Sequence, residues 1–259
     1  MGYARLGDFA SSQVVSRDFQ ELSRRRASRA RKLAARYPAS SEALEFYGEI
    51  ACFQQQAEGS GTVFYVESAL EMHEPLRRLV RQKGSRVLKQ AAEALDEGAC
   101  REALYAYLEQ VDTSSARSFF ARVLLQPHVI NQGDSGRSHL DNRCPHCGHP
   151  PQVGVLRPEG DGAALTLACS LCLSEWPFPR SQCASCGERD EKKIAYYSPQ
   201  QIAHLQTQVC DTCQRYLHHV DLAKDVQAVP DVDEVAALPL DVWALERGYR
   251  KLQPNLVGI

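Results

Sequence analysis

A chain of 259 residues that is 44% hydrophobic and 24% charged has an ordinary globular composition, long enough for one large domain or two modest ones. A formal net charge of −2 and a pI near 6.5 argue against a general nucleic-acid binder. No apolar run approaches the roughly 18 residues of a membrane span, and MGYARLGDFASSQVV lacks the charged, apolar and small-residue regions of a leader, so the expected location is the cytoplasm.

Residues 17 to 37 place Phe19, Leu22, Ala27, Ala30, Leu33, Ala34 and Tyr37 on one helical face. Arg17, Arg24, Arg25, Arg29, Arg31, Lys32 and Arg36 fall off it. This basic stretch can attract nucleic acid or an acidic partner; a solvated helix face is the plainer reading, because no exposed aromatics interleave the arginines. Pro38 ends the helix, and Ser40 or Ser41 can cap the next, where Ala43, Phe46, Tyr47, Ile50, Phe53 and Ala57 recur at helical spacing. After the breaker EGSGT, Pro75 suits the first turn of a helix through Leu76, Leu79 and Val80. Further helices are expected over about 86 to 97, 100 to 111 and 114 to 126, the last with Phe119, Phe120, Val123 and Leu124 inward. Residues 1–138 thus read as an all-helical bundle of about six helices.

After a polar break over 131 to 143, eight of the ten cysteines form four pairs with two residues between partners: Cys144/Cys147, Cys169/Cys172, Cys183/Cys186 and Cys210/Cys213. Such a pair turns two sulfurs toward one ion, and two pairs supply a tetrahedral site. Between Cys147 and Cys169, PQVGVLR and AALTLA flank a Pro/Gly/Asp turn; between Cys186 and Cys210, KKIAYYS and HLQTQV flank a second. A hairpin with a pair at each end brings the pairs together, as in a zinc ribbon or rubredoxin. Cys144, Cys147, Cys169 and Cys172 are therefore assigned to one ion, and Cys183, Cys186, Cys210 and Cys213 to the other. An interleaved pairing stays open, since only ten residues separate Cys172 from Cys183. A disulfide scaffold fits poorly with this length, and a redox-active pair would be single and beside a βαβ unit.

Four thiolates suit either zinc or iron, so the expected cofactors are two metal ions per chain, iron or zinc. Each filled site carries about −2, and Arg143, Arg180, Arg189, Lys192, Lys193 and Arg215 are at hand to offset it. His139, His146 and His149 lie near the first pair, but eight cysteines already complete two sites. Cys52 and Cys100 read as small buried hydrophobes in helices. A ribbon segment of about eighty residues has little apolar core, so metal and fold are expected to be coupled there and not in the helical half.

Beyond Cys213, YLHHVDL reads as a strand and KDVQAVPDVDE as an acidic connector. A final helix has Leu238, Val242, Leu245 and Tyr249 in a stripe and ends at Gly248. The fold class is α+β: a helical domain over 1–138, two tandem ribbon or rubredoxin-like hairpin modules over 139–222, then the connector and C-terminal helix over 223–259.

The runs CPHCGHPP, LACSLCLSEWPFPRSQCASCG and VCDTCQRYLHHVDLAKD, with ALPLDVWALERGY followed by KLQPN, resemble the FdhE family of formate dehydrogenase accessory proteins. The resemblance implies a helical domain joined to rubredoxin-like sites, with the eight cysteines as ligands. It also implies a cytoplasmic protein that binds the immature catalytic subunit of a respiratory, molybdenum-containing formate dehydrogenase before export. The competing classes are a zinc-ribbon nucleic-acid-binding protein and an iron-site redox or sulfur-handling protein. No Ser/His/Asp elbow, P-loop or dinucleotide motif points to an enzyme. In EWPFPRSQC, Trp176 and Phe178 beside Arg180 combine residue types of binding hot spots and are the expected client contact. In the alternative, Trp176 packs between the ribbons and Arg180 bonds backbone carbonyls there.

Overall fold

The computed structural model describes residues 13–57, 66–111, 114–129, 142–160 and 162–259, with side chains from Phe19 onward. Helix α1 (Gln13–Arg36) ends just before Pro38, which opens a short 3-10 turn into α2 (Ser41–Gln55). The two helices pack face to face, burying Phe19, Ala27, Ala30 and Leu33 from α1 and Tyr47 and Ile50 from α2. Ser40 stands at the N-cap position but does not cap: its hydroxyl donates to the Ala236 carbonyl at 3.0 Å, far along the chain. The Ser41 hydroxyl pairs with Glu45 at 3.1 Å.

Helices α3 (Val66–Leu70), α4 (His73–Lys83), α5 (Arg86–Ala94) and α6 (Glu97–Leu108) follow, with Pro75 in the first turn of α4 as expected. Ser85 caps α5 and Asp96 caps α6, whose Ala99 N–H donates to the Asp96 carboxylate at 2.8 Å; that cap sets the break between the two. Helix α7 (Ser115–Val129) is buried on all sides from Phe119 to Pro127 and so runs through the middle of the molecule. The EGSGT breaker and residues 131–141 of the linker, with His139, lie outside the described residues.

The expected hairpins are β1 (Pro151–Glu159) with β2 (Gly162–Cys169), and β4 (Ile194–Tyr197) with β5 (Leu205–Cys210). They are not separate modules. Strand β3 (Glu175–Pro177) extends the first, and β6 (Arg215–Asp221), the YLHHVDL strand, extends the second. Strands β1 and β6 then pair in parallel, Gly154 opposite His219 and Leu156 opposite Asp221, giving the order β3-β2-β1-β6-β5-β4. Gly154 permits this seam, since a Cβ there would lie 2.5 Å from a carbon of the His219 ring. Strand β7 (Arg250–Lys251) pairs with β6 and completes a seven-stranded sheet.

A turn of helix α8 (Pro230–Asp233) leads through a 3-10 turn to α9 (Leu238–Glu246), and Gly248 at φ +85° ends it. The predicted apolar stripe is split: Val242 and Leu245 are 48% and 56% exposed, Leu238 is half-buried, half-buried Tyr249 packs against Val209 and Tyr216, and Asp241 and Ala244 are the buried positions. Small Ala244 lets α9 approach Val209 and Tyr216 closely, and Asp241 accepts from the Tyr216 hydroxyl at 2.8 Å. The Asp241 carboxylate also faces His218 Nε2 at 2.7 Å and Lys251 Nζ at 3.2 Å. Burial opposes its charge, but Lys251, His218 and Tyr216 together hold it well below the usual carboxylate range.

The acidic connector meets the basic first helix. Arg29 donates to Asp233 at 2.5 and 2.9 Å and to Asp225 at 2.5 Å, and Asp233 also faces His204 Nε2 at 2.8 Å. Arg26, fully buried, pairs with Asp231, which accepts from the Tyr47 hydroxyl at 2.6 Å. Arg29 is thus not part of a solvated face; Arg24, Arg25, Arg31, Lys32 and Arg36 are exposed. One apolar core joins Leu33, Tyr47, Leu104 and Phe120 of the helices to Val153, Leu167 and Trp176 of the sheet.

Two candidate metal centres and the cleft between the ribbons

The four cysteine pairs sit in four turns of one design. Cys144 N–H donates to the His149 carbonyl at 2.9 Å and Gly148 N–H returns to the Cys144 carbonyl at 2.9 Å; Cys183, Glu188 and Gly187 repeat the pattern at 2.8 and 3.0 Å. Gly148 and Gly187, the residues after the second cysteine, both have φ +78°. The same position in the other two turns is also left-handed, at Leu173 (+61°) and Gln214 (+53°).

The sulfurs of Cys144, Cys147, Cys169 and Cys172 converge in one cluster and those of Cys183, Cys186, Cys210 and Cys213 in the other, so the hairpin pairing holds and the interleaved one does not. A tetrahedral ion with metal–sulfur bonds of about 2.3 Å sets sulfur–sulfur edges of about 3.8 Å. The second cluster shows 3.8 Å for Cys183–Cys213 and for Cys186–Cys210. In the first, Cys144–Cys172, Cys147–Cys169 and Cys147–Cys172 measure 3.5, 3.3 and 3.6 Å. Backbone N–H groups point at the sulfurs, Leu171 to Cys169 at 3.3 Å and Ser185 to Cys183 at 3.4 Å, as thiolates require. Both donor sets fit a zinc or iron ion, and each could hold one.

The histidines near the first cluster have other partners. His149 is buried with Nδ1 3.2 Å from the Cys147 carbonyl and Nε2 3.0 Å from the Tyr107 carbonyl, and its ring stacks on Tyr107, so it ties the first turn to α6. Burial lowers its pKa despite those two carbonyls. His146 is half-buried and belongs to neither sulfur cluster. Cys100 is buried, and burial pushes its thiol up to about 12; Cys52 is half-buried. His204, Asp225 and Asp233 also converge, but Arg29 already supplies the cation that these carboxylates face.

Of the expected client contact, Trp176 and Phe178 are core residues at 1% and 5% exposure, while Arg180 is exposed. Trp176 lies opposite Leu167 in the β2–β3 ladder, and the Phe178 N–H donates to the Leu165 carbonyl at 3.0 Å, so the linker is pinned with both rings inward. Arg180 Nη1 donates to the Ala163 carbonyl at 3.3 Å. Beside it a cleft of about 460 Å³ opens over the seam, lined by Leu156, Arg180, Ile194, Tyr196, Gln206 and His219. The Tyr196 hydroxyl donates to the Arg180 carbonyl and accepts from Gln208 at 2.7 Å. Burial, with the charges of His218 and Arg180 adding to it, lowers the His219 pKa to about 3. No local pattern marks this cleft, because its walls come from both ribbons and the linker.

Helices joined to a mixed sheet that carries two four-cysteine clusters define a class of metal-binding scaffold, and among the described residues no helix is long and apolar enough to cross a membrane. Family models described as FdhE, central domain, and FdhE, C-terminal domain, match residues 143–180 and 181–257. A protein named Protein FdhE homolog from Aquifex aeolicus is 30% identical over 200 residues, covering 74% of this chain and 71% of that protein. One of the same name from Pseudomonas aeruginosa is 39% identical over 121 residues, an alignment spanning 44% of this chain and 38% of the relative. The crystal structure of the FdhE protein from Pseudomonas aeruginosa superposes with a TM-score of 0.67 at 25% identity, over 92% of this chain and 95% of that one. The chain belongs to the FdhE family.

Proposed function

We propose that the chain is an accessory protein of respiratory formate dehydrogenase that binds the immature catalytic subunit in the cytoplasm and has no turnover of its own. The observation that carries this reading is the pair of closed four-sulfur clusters built into one sheet. Four protein sulfurs per ion leave no position for water or substrate, which favours a holding role over catalysis. Family membership supports formate dehydrogenase as the client, and the need for eight reduced cysteines supports a reducing compartment. Zinc-ribbon binding of nucleic acid loses support because Arg26 and Arg29 are committed to aspartates.

The contact we assign is the seam cleft with Arg180 at its lip, Trp176 and Phe178 bracing the linker from behind. Arg180→Ala tests it. One exposed bond of 3.3 Å is lost, so melting temperature and metal content are expected to stay within error while client binding weakens at least tenfold and formate dehydrogenase activity in the cell falls. Normal client binding by the variant would remove Arg180 from the contact. A deletion strain with full activity, in a host whose single formate dehydrogenase is the respiratory one, would defeat the assignment as a whole.

A further inference from the structure

The two clusters share ligands and turn design but differ in surroundings. Cys144, Cys169 and Cys172 are 2%, 0% and 2% exposed and belong to the main core, and half-buried Cys147 packs against it, its carbonyl 3.2 Å from His149 Nδ1. The second cluster sits outside that core: Cys183 and Cys210 pack with Ile194 and half-buried Cys213, and Cys186 is exposed. Of the chain's ten cysteines, Cys186 is the exposed one.

Exchange at a closed four-sulfur site requires that one sulfur swing away or that an incoming donor reach the ion, and either needs an accessible ligand. At the first cluster, access means opening a core shared by helices and sheet; at the second, it means moving a surface side chain. We propose that the second cluster is the chain's metal-exchange site, opening at Cys186 toward soft, thiol-bearing acceptors or donors, and that the first is a fixed clamp. Cys186 is the sulfur that leaves: it takes up a proton as the incoming thiol gives one up and that thiol's sulfur takes its place, so no oxidant or reductant is needed. The inference rests on both clusters holding metal, which metal analysis of the starting protein establishes separately.

The test uses the full chain loaded with two zinc ions, challenged with excess dimercaptosuccinate and followed by native mass spectrometry. Brief iodoacetamide pulses and peptide mapping run alongside; alkylation forms a carbon–sulfur bond and releases iodide. One ion is expected to leave at least tenfold faster than the other, with label appearing on Cys186 and Cys213 before Cys144, Cys169 or Cys172, and with helical circular dichroism intact. Cys186→Ser is expected to retain one ion that leaves at the slow rate. Equal loss of both ions, label arriving first in the first cluster, or a fast-leaving ion in Cys186→Ser would each overturn the proposal. The wild-type kinetics and labelling decide the matter even if the variant does not fold.

Discussion

At the residue scale, the left-handed positions of the four turns carry measurable strain. Gly148 and Gly187 meet the requirement without cost, whereas Leu173 and Gln214 hold side chains at φ +61° and +53°. Gln214 is exposed, so Gln214→Gly is expected to raise stability by about 1 kcal/mol, less whatever its bond to the Asp211 carbonyl contributes. Gly187→Ala, with no backbone nearby to clash, should cost about 1 to 2 kcal/mol from conformation alone. Urea midpoints of the metal-loaded variants give both signs.

A second residue-scale effect is a pH dependence from two imidazoles, half-buried His128 and buried His219. Burial pushes His128 down to about 4 and His219, with His218 and Arg180 adding to it, down to about 3. In the unfolded chain both rings protonate below about 6.5, so the unfolded state binds more protons between that value and the folded ones. Their contribution is full above pH 6.5 and is lost as pH falls through that window, by up to about 1.4 kcal/mol per unit and ring. Urea midpoints should therefore drop between pH 7.5 and 6.0, and His128→Gln should flatten the slope; an unchanged slope would show that His128 is not held neutral.

At the scale of elements, the latch between α1 and the connector should dominate. Asp233 is fully buried and accepts from Arg29, from the Val229 N–H at 2.8 Å and against His204. Asp233→Ala leaves Arg29 with Asp225 as its remaining carboxylate but strips His204 and the Val229 N–H of their acceptor, which costs about 2 to 3 kcal/mol. The check is a melting curve; a loss below about 1 kcal/mol would mean that water replaces the carboxylate without penalty. Helix α9 illustrates the opposite balance: its larger apolar residues Val242 and Leu245 face outward, because close approach to the sheet selected Ala244 and a satisfied Asp241 instead.

For the whole molecule, the shared core changes what metal is expected to do. Ribbon composition alone suggests that metal supports the second half only, yet Cys144, Cys169 and Cys172 pack in the same core as Leu104, Phe120 and Leu124. Arg122 of α7 donates to the Ser170 carbonyl at 2.6 Å within the second turn of that cluster. Cys172→Ser is therefore expected to lower one cooperative transition seen by helical circular dichroism and by sheet probes together, and Cys186→Ser to lower it less. Two separated transitions, with the helical one unmoved, would show that the halves fold independently.

What the chain's linear order determined by itself was whatever depends on near neighbours. Cysteine spacing fixed the turns, the strand and turn residues between pairs set both hairpins and favoured the ligand sets that the fold then decided, and helical periodicity with Pro38 and Pro75 marked most of the first half. Tertiary structure alone decided the parallel β1–β6 seam, because no local pattern reports which strands of two hairpins will meet. It also turned Trp176 and Phe178 inward, brought Arg29 to aspartates about 200 residues away, and left Cys186 exposed while Cys147 was half-buried and Cys144, Cys169 and Cys172 were buried. Each of these depends on which surfaces pack together across the chain, and burial belongs to the packed molecule, not to the residue or its spacing.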